Sequence, residues 1–298
     1  MRVALTGSSG LIGSAYRDAA KKAGIEVVHL VRHDPSPGQS EIRWDPEAGE
    51  VDEEGLAGVS AVVHLAGENI GARRWSSAQK ARIRGSRVNG TRTISDALVR
   101  LDPRPDVLVC ASALGYYGDR GSDVLTEDAP AGWDFLAQVG VEWEKASLSA
   151  SEAGVRVVNL RFGLVIGRDA QLLTRQLPIF KLGLGGKLGS GRQYMSWVSL
   201  DDVVRAISYA VDTPTLAGPV NVCSPNPVTN AEFTKTLGRV LSRPAFFVVP
   251  RLAMKAAFGE MGDMMFGSIR MSPTKLVESG FQFQHQDLEG ALRQALGP

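Results

Sequence analysis

The sequence predicts an α/β protein in which a doubly wound parallel sheet is followed by a smaller C-terminal lobe. An apolar run at residues 3–5 leads through a glycine-rich turn into a helix-forming stretch that ends at Gly24. Strand and helix patterns then alternate through the first two-thirds of the chain, as a parallel sheet requires. After Gly163 this regularity loosens, which marks the beginning of the smaller lobe.

The elements of the first part can be placed in order along the chain. Apolar runs predict inner strands at residues 3–5, 26–31, 61–65, 107–111 and 155–160. Helical patterns cover residues 14–23, 76–101 and 133–151. The second helix should end before Pro103 and Pro105, because proline cannot continue a helix.

We therefore expect a Rossmann-like domain over residues 1–163 and a substrate-facing lobe over residues 164–298, interleaved with the first domain in space. Five glycines between residues 183 and 191 exclude a continuous helix or strand in that segment. Apolar elements flank this segment on both sides, so we expect a loop over the ligand cleft rather than a linker.

The composition is that of an ordinary globular protein. Of 298 residues, 44% are hydrophobic, and 33 basic against 32 acidic side chains leave a net charge of +1. This balance gives no indication of nucleic-acid or membrane binding. No apolar run approaches the roughly 18 residues of a membrane helix, and the strand at the N-terminus leaves no room for a signal peptide. With two cysteines and no ligand cluster, we expect a cytoplasmic protein without a metal.

The most informative stretch is the turn that carries glycines at positions 7, 10 and 13. Glycine permits a tight turn and lets backbone N–H groups approach a pyrophosphate at the positive end of a helix. Three glycines in a loop are often turn chemistry alone. Their position between a strand and a helix favours a dinucleotide site. The residues of this site are Gly7, Gly10, Leu11, Ile12 and Gly13.

The end of the second strand bears on the choice of dinucleotide. A residue that reads the ribose is expected about 20 residues after the glycines, and Arg32 lies there. A guanidinium suits the 2′-phosphate of NADP, because it can pair with phosphate and stack on adenine. Arg32 could instead be a solvated residue at a strand end, and Asp34 could still bind a ribose hydroxyl. We expect NADP(H).

Further motifs carry a resemblance to a known superfamily. They are Gly7 to Gly13, Leu65-Ala66-Gly67, Val88-Asn89-Gly90-Thr91, Ser112 with Tyr117-Gly118, Arg161-Phe162-Gly163 and Ser196 to Val203. Together they resemble the extended short-chain dehydrogenases/reductases. A narrower likeness rests on Trp44-Asp45-Pro46, Ala66 to Ile70, Gly115 to Gly118, Trp143-Glu144, Gly183 to Gly186 and Gly189 to Tyr194. These resemble a sugar-nucleotide-epimerase-like subfamily with a C-terminal domain of unknown role, here a tail at about residues 249–296.

The resemblance implies NADP(H) binding, with further cofactor contacts from Leu65, Ala66, Gly67 and Arg161. In the superfamily, a Tyr four residues before a Lys transfers the proton, and a Ser holds the substrate oxygen. Ser112 occupies the Ser position. The Tyr-x-x-x-Lys pair is absent.

In this chain the Tyr position is held by Phe135 or Leu136 and the Lys position by Val139 or Gly140, depending on the alignment. None of these side chains can move a proton. Tyr116 and Tyr117 lie in the loop after the Ser112 strand, and either could replace the missing acid or be a packing aromatic. We give slight preference to Tyr117.

Four other polar residues are candidates for ligand contacts. Glu68 and Arg87 are expected near the cofactor, and Asn69 and Arg192 near the substrate. Arg87 could instead be a solvated or capped residue. Two functions remain open. The first is an NADP(H)-dependent oxidoreductase or epimerase-like enzyme that exchanges a hydride with an unknown small, nucleotide-sugar-like molecule. The second is a catalytically silent NADP(H)-binding regulator or scaffold. The oligomeric state is left open.

Overall fold

The computed structural model describes residues 1–297 as alternating strands and helices. The strands are β1 Arg2–Thr6, β2 Glu26–Val31, β3 Glu41–Asp45, β4 Glu50–Val51, β5 Ala61–His64, β6 Val107–Ala113, β7 Val124–Leu125, β8 Arg156–Phe162, β9 Leu164–Ile166, β10 Gly186–Leu188, β11 Tyr194–Met195, β12 Trp197–Ser199, β13 Gly218–Val222, β14 Val228–Thr229, β15 Phe247–Val249 and β16 Arg270–Met271. The helices are α1 Leu11–Lys22, α2 Glu53–Leu56, α3 Ser77–Arg100, α4 Phe135–Lys145, α5 Leu148–Glu152, α6 Gln171–Lys181, α7 Leu200–Asp212, α8 Asn230–Val240, α9 Arg251–Phe258, α10 Glu260–Met264, α11 Thr274–Glu278 and α12 Leu288–Leu296.

Eight strands form one large sheet in the order β13-β8-β6-β5-β1-β2-β3-β4. All neighbours in it run parallel except β3 and β4, which pair antiparallel at the edge. The chain therefore winds outward from β1 in both directions, and the order reverses between β1 and β5. Ligands of open α/β sheets bind at this reversal, beyond the carboxyl ends of the strands.

Helices cover both faces of the large sheet, which explains the nearly continuous apolar runs of its inner strands. On one face, Tyr16 of α1 and Ile207 of α7 pack against inward side chains such as Val63. On the other face, Ile94 of α3 and Ala150 of α5 pack against neighbours such as Val62. The predicted α/β class and doubly wound parallel sheet are confirmed.

The C-terminal part has a smaller core of its own. Phe180 of α6, Phe233 of α8 and Leu292 of α12 meet there around Trp197. Strand β13 and helix α7 nevertheless belong to the large sheet and its covering layer. The chain thus returns to the first layer after residue 163, so the two regions are interleaved.

A buried hydrogen-bond cluster holds the carboxyl ends of β1 and β5 together at the point where the strand order reverses. The Thr6 hydroxyl accepts the N–H groups of Leu65 and Ala66 at 3.1 and 3.2 Å and lies 2.8 Å from His64 Nδ1. With both amides donating to it, Thr6 donates its own proton to His64. The loop that follows β5 is therefore fixed beside the glycine turn that follows β1.

Most of the predicted elements of the first domain are confirmed within a few residues. The single helix predicted over residues 133–151 is wrong, because the structure divides it into α4 and α5. Ser147 donates its hydroxyl to the Glu144 carbonyl at 2.7 Å at the break. Ala150 N–H then bonds the Ser95 hydroxyl, so α5 packs against α3 instead of continuing the axis of α4.

The pKa of His64 should make the stability of the fold depend on pH. Burial lowers this pKa to about 4, below the value of 6.5 for an exposed histidine. Between those values the unfolded chain binds a proton that the folded chain excludes, so stability is lost as the pH falls from 6.5 towards 4. The loss is on the order of 3 kcal/mol. Denaturant unfolding at a series of pH values measures it.

The control for this experiment is the exposed His33. His64→Asn should flatten the dependence on pH over that range, whereas His33→Asn should leave the slope as it is in the unmodified protein. Parallel curves for His64→Asn and the unmodified protein would show that His64 is not excluded from protonation by the fold.

Candidate functional site

The glycine turn after β1 exposes the beginning of α1. Gly7 has φ +69° and accepts the Gly10 N–H at 3.0 Å, and a Cβ at Gly13 would lie 2.2 Å from the Gly7 carbonyl oxygen. These contacts require glycine at both positions. Within residues 1–297, the N–H groups of Leu11, Ile12 and Gly13 have no acceptor, and no side chain caps the helix. Three donors at the positive end of a helix form an anion site.

Two arginines lie near the end of β2. Arg32 follows the strand and is exposed. Arg43 of β3 lies opposite Val31 in the parallel register and forms an ion pair with Asp34. Both guanidinium groups act on the Asp45 carboxylate, whose pKa is lowered mainly by the N–H groups of Ala48 and Glu47 and further by these two charges. Sequence analysis identified Arg32 and missed Arg43.

An apolar cavity lies beyond the carboxyl end of β6. It is lined by Ile70, Arg87, Ala113, Gly115, Tyr116, Leu136, Val139, Gly140 and Trp143. It lies at the edge where the strands end, and only β5 separates its strand β6 from β1, which the glycine turn follows. The substrate of a dinucleotide enzyme would lie at such a position. The only charged group in this lining is the Arg87 guanidinium.

The cavity lining favours one of the two alternative placements of the missing pair on α4. Leu136 and Gly140 both face the cavity, four residues apart on α4. Phe135 points elsewhere and packs against Trp75 with ring centroids 5.3 Å apart. Val139 lines the cavity as well, so the pair Leu136 and Gly140 is the alternative in which both positions face the cavity, whereas only one does in the pair Phe135 and Val139. A Cβ at Gly140 would lie 3.2 Å from the Tyr116 Cα, so the short 3-10 helix Leu114–Tyr117 packs where a larger side chain would otherwise stand.

Arg87 brings a cation to the cavity from α3. Its Nη1 donates to the carbonyls of Glu68 and Ile83 at 3.0 and 3.2 Å, and its guanidinium lies 4.9 Å from the ring centroid of Trp143. Burial lowers its pKa to about 10, an effect that Glu68 partly offsets, so Arg87 remains charged at neutral pH. No carboxylate of residues 1–297 forms an ion pair with it. A nearly buried cation without a carboxylate partner favours an anionic or electron-rich ligand.

A buried ion pair lies behind the cavity. Arg161 of β8 donates from Nε and Nη2 to the two carboxylate oxygens of Glu144, both at 2.8 Å, and its side chain is 2% exposed. Ser112, next to Arg161 in the sheet register, donates its hydroxyl to the same carboxylate at 2.7 Å. The proton of Ser112 is thus engaged within the protein. The Arg161 guanidinium is likewise occupied, and our proposed cofactor contacts below do not include it.

The two neighbouring tyrosines have different surroundings. The Tyr117 hydroxyl donates to Asn221 Oδ1 at 2.7 Å and accepts from Arg161 Nη1 at 2.8 Å, and the side chain is fully buried. Burial raises its pKa to about 12, which opposes proton release. Tyr116 instead lines the cavity, with its ring stacked 3.5 Å from the Arg161 guanidinium. Tyr116 is therefore the tyrosine that a cavity ligand can reach.

The remaining candidates lie outside the cavity lining. Glu68 accepts from Gln79 Nε2 at 3.0 Å on the loop after β5, close to Arg87. Asn69 is exposed on the same loop, where its side chain accepts the Gly71 N–H at 2.9 Å. Arg192 is exposed in the C-terminal lobe, outside the cavity lining. The glycine-rich segment around it pairs with β15 through β10.

Glu144 is the main site residue that sequence analysis left without a role. It lies four residues after Gly140 and eight after Leu136, which places the three on one face of α4. The spacing of Glu144 from Leu136 and Gly140 could therefore have predicted that its carboxylate lies on the same face of the helix as the cavity residues. Its partner Arg161 lies on a different element, and no local pattern indicates that the two meet.

Two further observations bear on the class of protein. In the part of the chain from residue 1 to 297, His, Cys, Asp and Glu side chains form no group that could hold a metal ion. None of the helices in that part combines the length and the apolar character needed to cross a membrane.

Comparison with protein families gives two matches. A model described as the NAD dependent epimerase/dehydratase family covers residues 3–223, and a domain of unknown function (DUF1731) covers residues 249–295. Among curated proteins, the chain is similar to the epimerase family protein Mb2239 of Mycobacterium bovis, with 47% identity over 292 residues, which are 97% of this chain and 96% of the relative. It is 33% identical to human epimerase family protein SDR39U1, over 99% of each chain.

Solved structures show the same relationship. The crystal structure of human SDR39U1 (isoform 2) with NADPH superimposes with a TM-score of 0.91 at 31% identity, covering 99% of both chains. MoeE5 in complex with UDP-glucose and NAD superimposes with a TM-score of 0.77 at 22% identity, over 99% of this chain and 97% of that one. The second likeness shows the fold alone.

The ion pair behind the cavity should contribute strongly to stability once formed. Glu144→Gln removes one charge and leaves the buried Arg161 guanidinium without a counter-ion, which costs about 3–5 kcal/mol. Glu142→Gln is the matched control on the same helix, because Glu142 makes only an exposed pair with Arg84 at 3.3 Å. That change should cost less than about 1 kcal/mol. Denaturant unfolding distinguishes the two, and equal losses would contradict the assigned role of the buried pair.

Proposed function

We propose that this chain, which belongs to the NAD dependent epimerase/dehydratase family, binds NADP(H) and exchanges a hydride with a small-molecule substrate. The observation that carries the proposal is the alignment of three features along one sheet edge. Backbone N–H groups without acceptors lie at the beginning of α1, the arginine Arg32 follows β2, and an apolar cavity lies beyond the carboxyl end of β6. A dinucleotide with its substrate spans such an edge.

The residues present fit the cofactor. The N–H groups of Leu11, Ile12 and Gly13 would hold the pyrophosphate, and a Cβ at Gly10 would meet only the Gly7 carbonyl within 4 Å, so the space above the turn is open. Arg32 and Arg43 would bind the 2′-phosphate that distinguishes NADP from NAD. The human relative whose structure is with NADPH supports this choice.

We propose further contacts from the loop after β5. Leu65, Ala66 and Gly67 are held beside the glycine turn by Thr6, and Glu68 and Arg87 lie next to Gly67. A Cβ at Gly67 would lie 3.4 Å from Arg87 Cζ, so glycine lets the guanidinium approach this loop closely.

When bound, NADPH supplies a hydride from nicotinamide C4. The chain's own residues would perform three tasks: the apolar lining excludes water, the Arg87 charge stabilises negative charge on a substrate oxygen, and the Tyr116 hydroxyl donates the proton. Ser112 would act indirectly, by holding Glu144 in place. Nucleotide sugars, which solved neighbours of this fold bind, are the first compounds to screen.

A second function is favoured by one observation. In the favoured placement, the two positions that carry acid–base chemistry in the superfamily hold Leu136 and Gly140, which can neither give nor accept a proton. A chain that binds NADP(H) without turnover, and acts as a regulator or scaffold, is consistent with this. A turnover screen with NADPH and varied carbonyl and nucleotide-sugar compounds separates the two functions, whereas cofactor affinity does not.

Arg32→Ala should remove a preference for NADP(H) over NAD(H). Loss of a charge-assisted contact with phosphate costs roughly 1.5–3 kcal/mol, which is about tenfold to 150-fold in affinity. The affinity for NAD(H), which lacks the phosphate, should hardly change. Calorimetric titration of both cofactors measures this. Equal affinities of the unmodified protein for NADPH and NADH would contradict the assignment.

Gly10→Val should abolish cofactor binding without unfolding the protein. The Gly10 φ of −77° is accessible to any residue, and the branched side chain would extend into the open space above the turn. Fluorescence titration with NADPH measures the binding, and a circular-dichroism melt checks the fold. A folded variant that still binds NADPH would place the dinucleotide elsewhere.

The two tyrosines should respond differently to loss of the hydroxyl. Once a substrate is found, Tyr116→Phe should lower turnover about 10²–10⁴-fold, as expected for loss of a general acid. Tyr117→Phe should leave turnover nearly unchanged and destabilise the fold by about 1–3 kcal/mol, because the buried Asn221 Oδ1 and Arg161 Nη1 each lose the hydrogen bond that they make with the Tyr117 hydroxyl. Tyr117 was slightly preferred from the sequence, but its hydroxyl is buried and hydrogen-bonded to Asn221 and Arg161, so we propose Tyr116 as the acid. Unchanged turnover in both variants would remove both tyrosines from the chemistry.

A further inference from the structure

The C-terminal lobe exposes an unusual cluster of large apolar side chains. Residues 1–297 contain fourteen large hydrophobic side chains that are strongly exposed, and half of them lie in two short segments. We call this cluster the apolar tip; its members are Ile179, Leu182, Leu184, Phe246, Phe247, Val248 and Leu252. Monomeric soluble proteins rarely expose contiguous apolar surface of this kind unless it binds something.

The two segments meet in space. Strand β10 pairs with β15, Arg243 Nε donates to the Lys181 carbonyl at 3.0 Å, and Phe247 N–H bonds the Gly185 carbonyl. Helix α9, which follows β15, has no buried residue, and its Leu252 is exposed. The tip is therefore one continuous surface built from both segments.

The tip protrudes. Leu182, Phe246 and Leu252 are 76%, 72% and 78% exposed, which is incompatible with the floor of a groove. Protruding apolar side chains of this kind can insert into the acyl region of a lipid bilayer, as the apolar face of an interfacial helix does.

Charge is segregated around the tip. Residues 170–200 and 233–259 contain nine Lys and Arg and no Asp or Glu, although the whole chain is nearly neutral. The remainder of the chain therefore carries 24 basic and 32 acidic side chains. Within residues 1–297, three of the nine cations pair with carboxylates from outside the two segments, namely Arg239 with Glu289 and both Arg251 and Lys255 with Asp263.

We propose that the apolar tip and its surrounding cations bind the surface of a membrane that contains anionic lipids. Protruding apolar side chains would enter the acyl boundary, and the cations would contact the headgroups. A second copy of the chain is a poorer occupant, because a symmetric dimer through this face would bring one basic set against another. The net charge of +1 gave no indication of a membrane, because it averages over this segregation.

Vesicle co-sedimentation at low salt tests the proposal. The unmodified protein should bind vesicles of phosphatidylcholine with roughly one-third phosphatidylglycerol and not vesicles of phosphatidylcholine alone, and about 0.5 M salt should release it. Phe246→Ser with Phe247→Ser should weaken binding at least tenfold. Lys181→Glu with Lys255→Glu should weaken it about fivefold or more for each cation lost.

Matched controls remove similar groups elsewhere. Trp133→Ser deletes a 92% exposed aromatic outside the tip, and Lys21→Glu with Lys22→Glu reverses two exposed charges at the end of α1. Both should bind the anionic vesicles as the unmodified protein does. A circular-dichroism melt, which should be unchanged in the tip variants, confirms that they are folded and makes the test independent of the proposed NADP(H) binding.

Three results would overturn the proposal. The first is no binding of the unmodified protein to the anionic vesicles. The second is binding that the tip variants and the controls lose equally. The third is a dimer in light scattering that the Phe246/Phe247 double variant dissociates, which would assign the tip to a protein interface.

Discussion

The ion pair between Arg161 and Glu144 is the constraint on which the interior of this protein depends. A buried guanidinium must keep its partners, because an uncompensated charge in this setting costs several kcal/mol. Arg161 therefore fixes the carboxylate of α4, the hydroxyl of Tyr117 and, through that carboxylate, the hydroxyl of Ser112. The geometry of the cavity wall follows from these contacts.

The same network reaches the C-terminal part of the chain. Tyr117 donates to Asn221 of β13, and Asn221 Nδ2 donates to the carbonyls of Leu125 and Ser272 at 3.1 and 2.9 Å. Glu127 accepts the N–H groups of Asn221 and Lys275, both at 3.1 Å. These buried polar groups are hydrogen-bonded across the two interleaved regions. They specify one arrangement of those regions, because any other arrangement would leave several buried groups without a hydrogen bond.

Local sequence signals were sufficient for the framework of the fold. The glycine turn lay between a strand and a helix, and each inner strand was an apolar run, because a sheet covered on both faces demands it. Strand β3 was missed although Ile42 and Trp44 are buried and Arg43 between them is exposed, which is the alternation of an edge strand with one solvated side. A strand predicted from that alternation would have placed Arg43 next to the end of β2, where Arg32 lies.

The site could be predicted only where its residues follow local rules. Tyr116 and Tyr117 are adjacent in one turn, and they differ because only the Tyr117 hydroxyl is hydrogen-bonded to Arg161 and Asn221, which lie 44 and 104 residues further along the chain. The pairing of Glu144 with Arg161 is likewise long-range. The net charge was misleading for the C-terminal lobe, because a nearly neutral total conceals two segments that contain basic but no acidic side chains.

The central claim is that a dinucleotide binds across the point where the strand order reverses, and amide hydrogen exchange with and without NADPH tests it most directly. Protection should increase at residues 7–14, at 31–45 and at 65–68, because these segments carry the amides and arginines assigned to the cofactor. Residues 242–258 at the apolar tip should exchange equally in both conditions. Protection confined to the C-terminal lobe, or none in the glycine turn, would contradict the account.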